Sequence, residues 1–70
     1  LAALAQPGLL AAAEYTVGRF KAREIHRVTL TLTDGTRAKF VVSAYAAAVI
    51  MRELENRCPQ AVTAGRQQQL

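Results

Sequence analysis

The sequence predicts a small α+β domain in which a three-stranded antiparallel sheet packs on one face against helices, in the order α-β-β-β-α. Two alternating runs of apolar and polar residues meet at Asp34-Gly35, a pair typical of hairpin turns. Ser43 precedes a stretch whose apolar residues have helical spacing. An Ala- and Leu-rich run near the start of the chain favours a further helix.

The chain has 70 residues, which is one domain near the lower size limit for independent folding. We expect residues 1–58 to form the domain and residues 59–70, which are polar and include Gly65, to form a flexible tail or linker. Hydrophobic residues make up 51% of the chain without any Trp, so small side chains must fill a thin core. Self-association often completes such a core.

The first helix is expected over Leu9–Glu14, with Pro7-Gly8 marking its start and residues 1–6 frayed. A strand is then expected over Tyr15–Lys21, followed by a turn at residues 22–24. Val17 and Phe20 have opposite parity, so a bulge at Gly18 is required if both are to face the core.

The register of the hairpin around Asp34 follows from its side-chain pattern. A two-residue loop would pair Leu30 with Lys39 and would mix core and solvent residues on each face. A three-residue loop with Gly35 in a left-handed conformation pairs Leu30 with Ala38 instead, and Val28 with Phe40. The sequence therefore predicts one apolar face and one polar, basic face.

The second helix is expected from Ala44 to about Arg57, with Ser43 as its N-cap and Pro59 ending it. One stripe is expected to be buried, and its members are Ala47, Ile50, Met51, Leu54 and Cys58. Tyr45, Ala46 and Val49 widen the apolar surface beyond what one thin sheet needs. They are the candidate self-association residues.

The net charge of +4 belongs to the predicted sheet region, because the basic and acidic residues elsewhere in the chain balance. We expect the basic side chains to gather on the sheet face away from the helices, where they would suit a polyanion. The candidate polyanion-binding residues are Arg19, Lys21, Arg27, Arg37 and Lys39. An ordinary solvent-exposed sheet face carries similar residues, so this alternative stays open.

No pattern indicates catalysis, a cofactor or a metal site. His26 is the only histidine and is expected at the inner edge of the sheet opposite Val42, where a packed, hydrogen-bonded role is favoured. Cys58 lies at a helix C-terminus, whose dipole opposes a thiolate. Glu53 and Glu55 point away from each other on a helix, and Glu53 is placed to pair with Arg57. The chain is therefore not expected to be an enzyme.

The sequence favours a non-enzymatic interaction module that self-associates, as a homodimer, and binds a protein partner. The alternative is a basic nucleic-acid-binding domain that contacts phosphates through the outer face of its sheet. No apolar run is long enough for a membrane span. A single cysteine favours the cytoplasm, although Ala3-Leu4-Ala5 leaves a processed secretory origin open.

Overall fold

Three strands followed by two helices make up the fold. The structure, a computed structural model, describes residues 8–68. The elements are β1 (Leu10–Phe20), β2 (Arg23–Leu32), β3 (Arg37–Val42), α1 (Ala44–Arg57) and α2 (Pro59–Gln68). The strands form an antiparallel sheet in the order β1-β2-β3. The predicted α+β class, with a three-stranded antiparallel sheet packed against helices, is confirmed.

The predicted helix over Leu9–Glu14 is wrong, because β1 begins at Leu10 and the observed order is β-β-β-α-α. Ala12 and Ala13 are buried, and Ala13 pairs with Leu30 across the sheet. Helix propensity differs by less than about 1 kcal/mol per residue between Ala and typical strand residues, so burial against β2 outweighs it. The expectation that residues 1–6 are frayed falls outside the described residues.

A tight turn joins β1 to β2. Lys21 and Ala22 form it, rather than residues 22–24, and both have positive φ, of 52° and 65°. The predicted bulge at Gly18 is absent, since β1 and β2 keep a regular register there and shift only between Leu10 and Ala12. Val17 and Phe20 therefore lie on opposite faces of the sheet, and both are exposed.

The register between β2 and β3 is the one that the sequence predicts. Leu30 pairs with Ala38, and Val28 pairs with Phe40. The Leu32 N–H donates to the Thr36 carbonyl at 2.8 Å, which closes a three-residue loop. One sheet face is therefore apolar around Val28 and Leu30, both of which are fully buried.

The loop between β2 and β3 is held by its own backbone geometry. Gly35 has a φ of 92°, a conformation that favours glycine, and its N–H donates to the Leu32 carbonyl at 3.0 Å. Hydrogen bonds from the side chain of Thr36 and from its backbone N–H, the latter at 2.9 Å to Asp34 Oδ1, lower the pKa of Asp34. The predicted left-handed glycine is confirmed.

α1 follows β3 after the single residue Ser43, whose hydroxyl accepts a hydrogen bond from the Ala46 N–H at 3.1 Å. The predicted N-cap is confirmed. The predicted stripe also faces the core, with Ala47, Leu54 and Cys58 buried and Ile50 and Met51 half-buried. Full burial of a Leu side chain stabilises the fold by about 1.5–3 kcal/mol, so this stripe holds α1 on the sheet.

The segment expected as a polar tail differs in the structure, where residues 59–68 form α2. Pro59 ends α1 and also begins α2, because proline suits a first helical position. The Cys58 carbonyl accepts from the Ala61 and Val62 N–H groups at 3.0 and 3.3 Å, which caps the new helix. Ala61 and Val62 are buried in the core, and α2 packs mainly against β1.

Gly65 is where α2 comes closest to the sheet. A Cβ at this position would overlap the Ala13 carbonyl, at 2.6 Å from its carbon atom, and would lie 3.2 Å from Glu14 Cγ. Real Cβ atoms do not approach a backbone carbonyl this closely. The glycine therefore permits α2 to lie against the edge of β1.

Gly65→Ala should lower the free energy of unfolding by roughly 1–3 kcal/mol, because the new methyl group forces α2 away from β1. In an unconstrained helix the same change would stabilise by about 1 kcal/mol, so the sign is diagnostic. Urea denaturation measures it, with Gln67→Ala on the exposed side of α2 as the control. A stabilised Gly65→Ala protein would show that α2 does not pack as described.

Lys21→Asn combined with Ala22→Gly should raise the free energy of unfolding by about 1 kcal/mol. Both positions have positive φ, which Asn and Gly adopt at lower cost than Lys and Ala. Ala48→Gly, in the exposed middle of α1, is the matched control and should lose about 1 kcal/mol. Urea midpoints that fall for both proteins would contradict the assigned turn.

Candidate binding surfaces

The two faces of the sheet differ in charge. The inner face carries Val28 and Leu30 and packs on the helices. The outer face is defined by the residues that alternate with these, and its charged members are Glu14, Arg23, Arg27, Arg37 and Lys39. Four basic side chains therefore share this face with one carboxylate, and the threonines 16, 29 and 31 lie between them.

The basic side chains of the outer face have no acidic partner among residues 8–68. The ion pairs of the described residues join Arg57 to Glu53 at 2.6 Å and Arg66 to Glu55 at 3.6 Å, and His26 Nε2 lies 3.9 Å from Glu24 Oε1, a contact that is an ion pair only when the histidine is protonated. The predicted pairing of Glu53 with Arg57 is thus present on α1. Two of the three arginines of the helices are thus paired locally, whereas the basic side chains of the outer face are available to a ligand.

Three of the five predicted polyanion-binding residues, Arg27, Arg37 and Lys39, lie together on the outer face. Arg19 does not join them. It lies opposite Glu24 in the β1–β2 register, and both residues are on the inner face of the sheet. Lys21 lies in the β1–β2 turn, with its Nζ 5.5 Å from the centre of the Phe20 ring. Arg23, which is not among the predicted residues, occupies the outer face instead.

Phe20 is placed differently from the sequence expectation. It pairs with Arg23 on the outer face and is 64% exposed, rather than facing the core. The bulge that the sequence predicts at Gly18 accounts for this error. A bulge there would move every later residue of β1 to the opposite face of the sheet, and the strand has none. An aromatic ring is therefore exposed beside Lys21 and Arg23 at the end of the β1–β2 hairpin.

Two predicted self-association residues of α1 are exposed. Tyr45 is 81% and Val49 is 49% exposed, whereas Ala46 is half-buried. At 100° per residue, Tyr45 and Val49 lie on the side of α1 opposite Ala47 and Leu54. We call this surface the α1 patch: it is a shallow depression of about 270 Å³ whose lining residues are Tyr45, Ala48, Val49, Arg52 and Glu53.

The third surface is the free edge of β3. Leu32 and Thr36 form a hydrogen-bonded pair, and such pairs alternate along an antiparallel ladder. The backbone groups of Ala38, Phe40 and Val42 therefore point to β2, and those of Arg37, Lys39 and Val41 point away from it. No described strand lies beyond β3.

His26 lies where the sequence predicts it, opposite Val42 at the inner edge of the sheet. Its Nδ1 and the Tyr15 hydroxyl are hydrogen-bonded at 2.7 Å, and the two rings stack with their centres 6.0 Å apart. This diagonal contact across β1 and β2 was not predicted, because the sequence pattern set no register between the first two strands. The contact explains how a half-buried histidine is accommodated.

The other groups considered for chemistry are dispersed. Cys58 is buried at the junction of α1 and α2 and forms no disulfide. Within residues 8–68, no group of three His, Cys, Asp or Glu side chains gathers as a metal site would require. Neither α1 nor α2 has the length and apolar character needed to cross a bilayer.

Comparison with known proteins adds no family to this description. No protein-family model matches the chain, and neither a curated protein nor a solved structure matches it significantly.

Proposed function

We propose that this protein is a non-enzymatic interaction module that forms a homodimer through the α1 patch and binds a protein partner. The observation that carries the proposal is that α1 is apolar on two opposite sides. One side packs on the sheet through Ala47 and Leu54, and the other exposes Tyr45 and Val49. Exposed Tyr and Val side chains side by side are typical of interfaces, in which aromatic residues are enriched.

The distribution of charge favours the α1 patch for contact with a second copy. Arg52 and Glu53 border the patch, so two copies that meet there bring both signs of charge together. The outer sheet faces of two copies would repel each other, because four of the five charged side chains on each face are basic. A thin core with many alanines buries little apolar surface, so burial of further apolar surface in a dimer would stabilise the chain.

A binding role without catalysis fits the environments of the reactive groups. His26 is engaged by the Tyr15 hydroxyl at 2.7 Å, and the Cys58 thiol is buried. A general base must reach a substrate proton, and a nucleophilic cysteine requires an exposed, electropositive setting. Neither residue is presented in that way.

Val49→Glu should convert the dimer to a monomer, because a carboxylate would be buried at the centre of the α1 patch. Sedimentation equilibrium over a concentration series measures the change. Val49 is 49% exposed within one chain, so the fold should persist, and circular dichroism checks this. Gln60→Glu, on the exposed surface of α2, is the control and should remain dimeric. A wild-type monomer at high concentration would refute self-association.

The second candidate function is nucleic-acid binding through the outer sheet face. Arg27, Arg37 and Lys39 favour it specifically, because they are close together and have no acidic partner among the described residues. Residues two apart on a strand are about 6.7 Å apart, which suits contacts to successive phosphates. The exposed Phe20 ring could add base stacking at the hairpin end.

If the outer face binds nucleic acid, Arg27→Glu with Lys39→Glu should abolish retention of duplex DNA or RNA at low salt. The affinity of the wild type should fall steeply with salt, with a logarithmic slope of about one for each phosphate that the protein neutralises. Arg52→Glu with Arg66→Glu changes the charge equally on the helices and is the matched control. Equal weakening of binding by both double variants, in an electrophoretic shift, would exclude a specific outer-face site.

A further inference from the structure

The free edge of β3 combines unpaired backbone groups with side chains of definite character on both faces. We propose that β3 binds, by strand addition, an extended segment of a partner protein in which carboxylate residues alternate with apolar residues. The inference rests on the proposed function, because it names the chemistry of the protein partner and the place where it binds.

The backbone of β3 provides the ladder for such a segment. Arg37, Lys39 and Val41 direct their N–H and C=O groups away from β2, and each offers one donor and one acceptor. An added antiparallel strand can therefore form regular hydrogen-bonded pairs at these three positions. α1 lies mainly against α2, β1 and β2, so it leaves this edge accessible.

The opposite edge of the sheet is not equivalent. The parity of the ladder directs the backbone groups of Ala13 to the free side of β1, and there Gly65 of α2 lies against the Ala13 carbonyl. The close approach of α2 leaves no room for a peptide strand beside Ala13. Strand addition is therefore favoured at β3 rather than at the start of β1.

The outer face of β3 specifies the charge of the partner. Residues directly opposite one another on adjacent strands share a face, so two partner side chains would oppose Arg37 and Lys39. Neither cation has an acidic partner among residues 8–68. Carboxylates two residues apart on the incoming antiparallel strand match this spacing, and an uncharged residue precedes them, opposite Val41, which is 68% exposed.

The inner face of β3 specifies the residue between the two carboxylates. Ala38 and Phe40 alternate with Arg37 and Lys39 and face the helix side of the sheet. Phe40 is 41% exposed, although it lies on the core face, because the helices cover β1 and β2 more fully. An apolar side chain on the incoming strand would cover the Phe40 ring and remove its remaining apolar surface from water.

The charge and the outward backbone groups of β3 favour this occupant over two simpler ones. A second copy that paired through its own β3 would bring Arg37 and Lys39 of both copies together, and like charges on adjacent strands are destabilising. A nucleic acid would engage the cations, but it would leave the outward N–H groups and Phe40 unused. An acidic, alternating peptide uses the backbone, the cations and the ring at once.

The test is fluorescence anisotropy with a labelled, end-blocked peptide of sequence Thr-Val-Glu-Val-Glu, which in the antiparallel register sets Thr opposite Val41 and the two Glu residues opposite Lys39 and Arg37. Two variants at one position are compared. Lys39→Ala removes the charge alone, whereas Lys39→Pro removes the charge and the outward N–H. Proline is compatible with an edge strand when its nitrogen faces away from the neighbouring strand. We expect Lys39→Pro to bind about tenfold more weakly than Lys39→Ala, because a ladder hydrogen bond is lost.

A chemically modified peptide tests the same step on the wild-type protein, so a folding defect in Lys39→Pro cannot obscure the result. N-methylation of the peptide at its two Glu residues, whose N–H groups face β3, should abolish binding, whereas N-methylation at its two Val residues, whose N–H groups face solvent, should not. Equal binding of Lys39→Ala and Lys39→Pro, or of the Glu-methylated and unmodified peptides, would overturn strand addition. Equal binding of Thr-Val-Lys-Val-Lys would overturn the acidic specificity.

Two further outcomes separate this inference from the proposed function. A protein that forms dimers dependent on Val49 but ignores the acidic peptide would overturn strand addition at β3 and leave the interaction role in place. A protein that neither dimerises nor binds the peptide would overturn both. Displacement of bound peptide by duplex DNA, together with insensitivity to N-methylation, would assign Arg37 and Lys39 to nucleic acid instead.

Discussion

The pairing of Leu32 with Thr36 across the three-residue loop is the constraint on which the remaining structure depends. It is made possible by the left-handed conformation of Gly35. Because side chains alternate along strands, a shift by one residue would turn Arg37 and Lys39 to the core face in place of Ala38 and Phe40. The same pairing places Lys39 on the outer face and directs its backbone groups to the free edge. The charge and the accessible edge therefore have one cause.

A thin core explains why the C-terminal helix is part of the domain. Val28 and Leu30 are fully buried, but they lie beneath helices that contribute small residues such as Ala47 and Ala61. Without α2, the apolar residues near the start of β1 would lose their cover, and a domain of this size has little stability to spare. Because Gly65 has no side chain, α2 approaches the backbone of β1 closely. Close packing between the two elements therefore stabilises the fold although few large side chains are buried.

Local chemistry was predictable from the sequence wherever one residue type has one physical role. Ser43 as a cap, the left-handed Gly35 and the buried stripe of α1 are of this kind. The first strand was not, because alanines favour a helix unless a neighbouring strand buries them. The helix α2 was not predictable either, because only Ala61 and Val62 in this polar segment are apolar residues that the core buries. Pro59 also indicated the end of α1, although proline suits the first position of a new helix equally well. The register error at Gly18 then displaced Arg19 and Phe20 from their predicted faces.

The connection between β3 and α1 consists of Ser43 alone, and its side chain is already committed to the first turn of the helix. A linker of one residue cannot absorb a change in the twist of the strand. Any ligand that straightens or stiffens β3 would accordingly reorient the start of α1, where Tyr45 lies. Binding at the edge of the sheet would thus change the geometry of the exposed side of α1, and if both surfaces take ligands, occupancy of one would alter the affinity of the other.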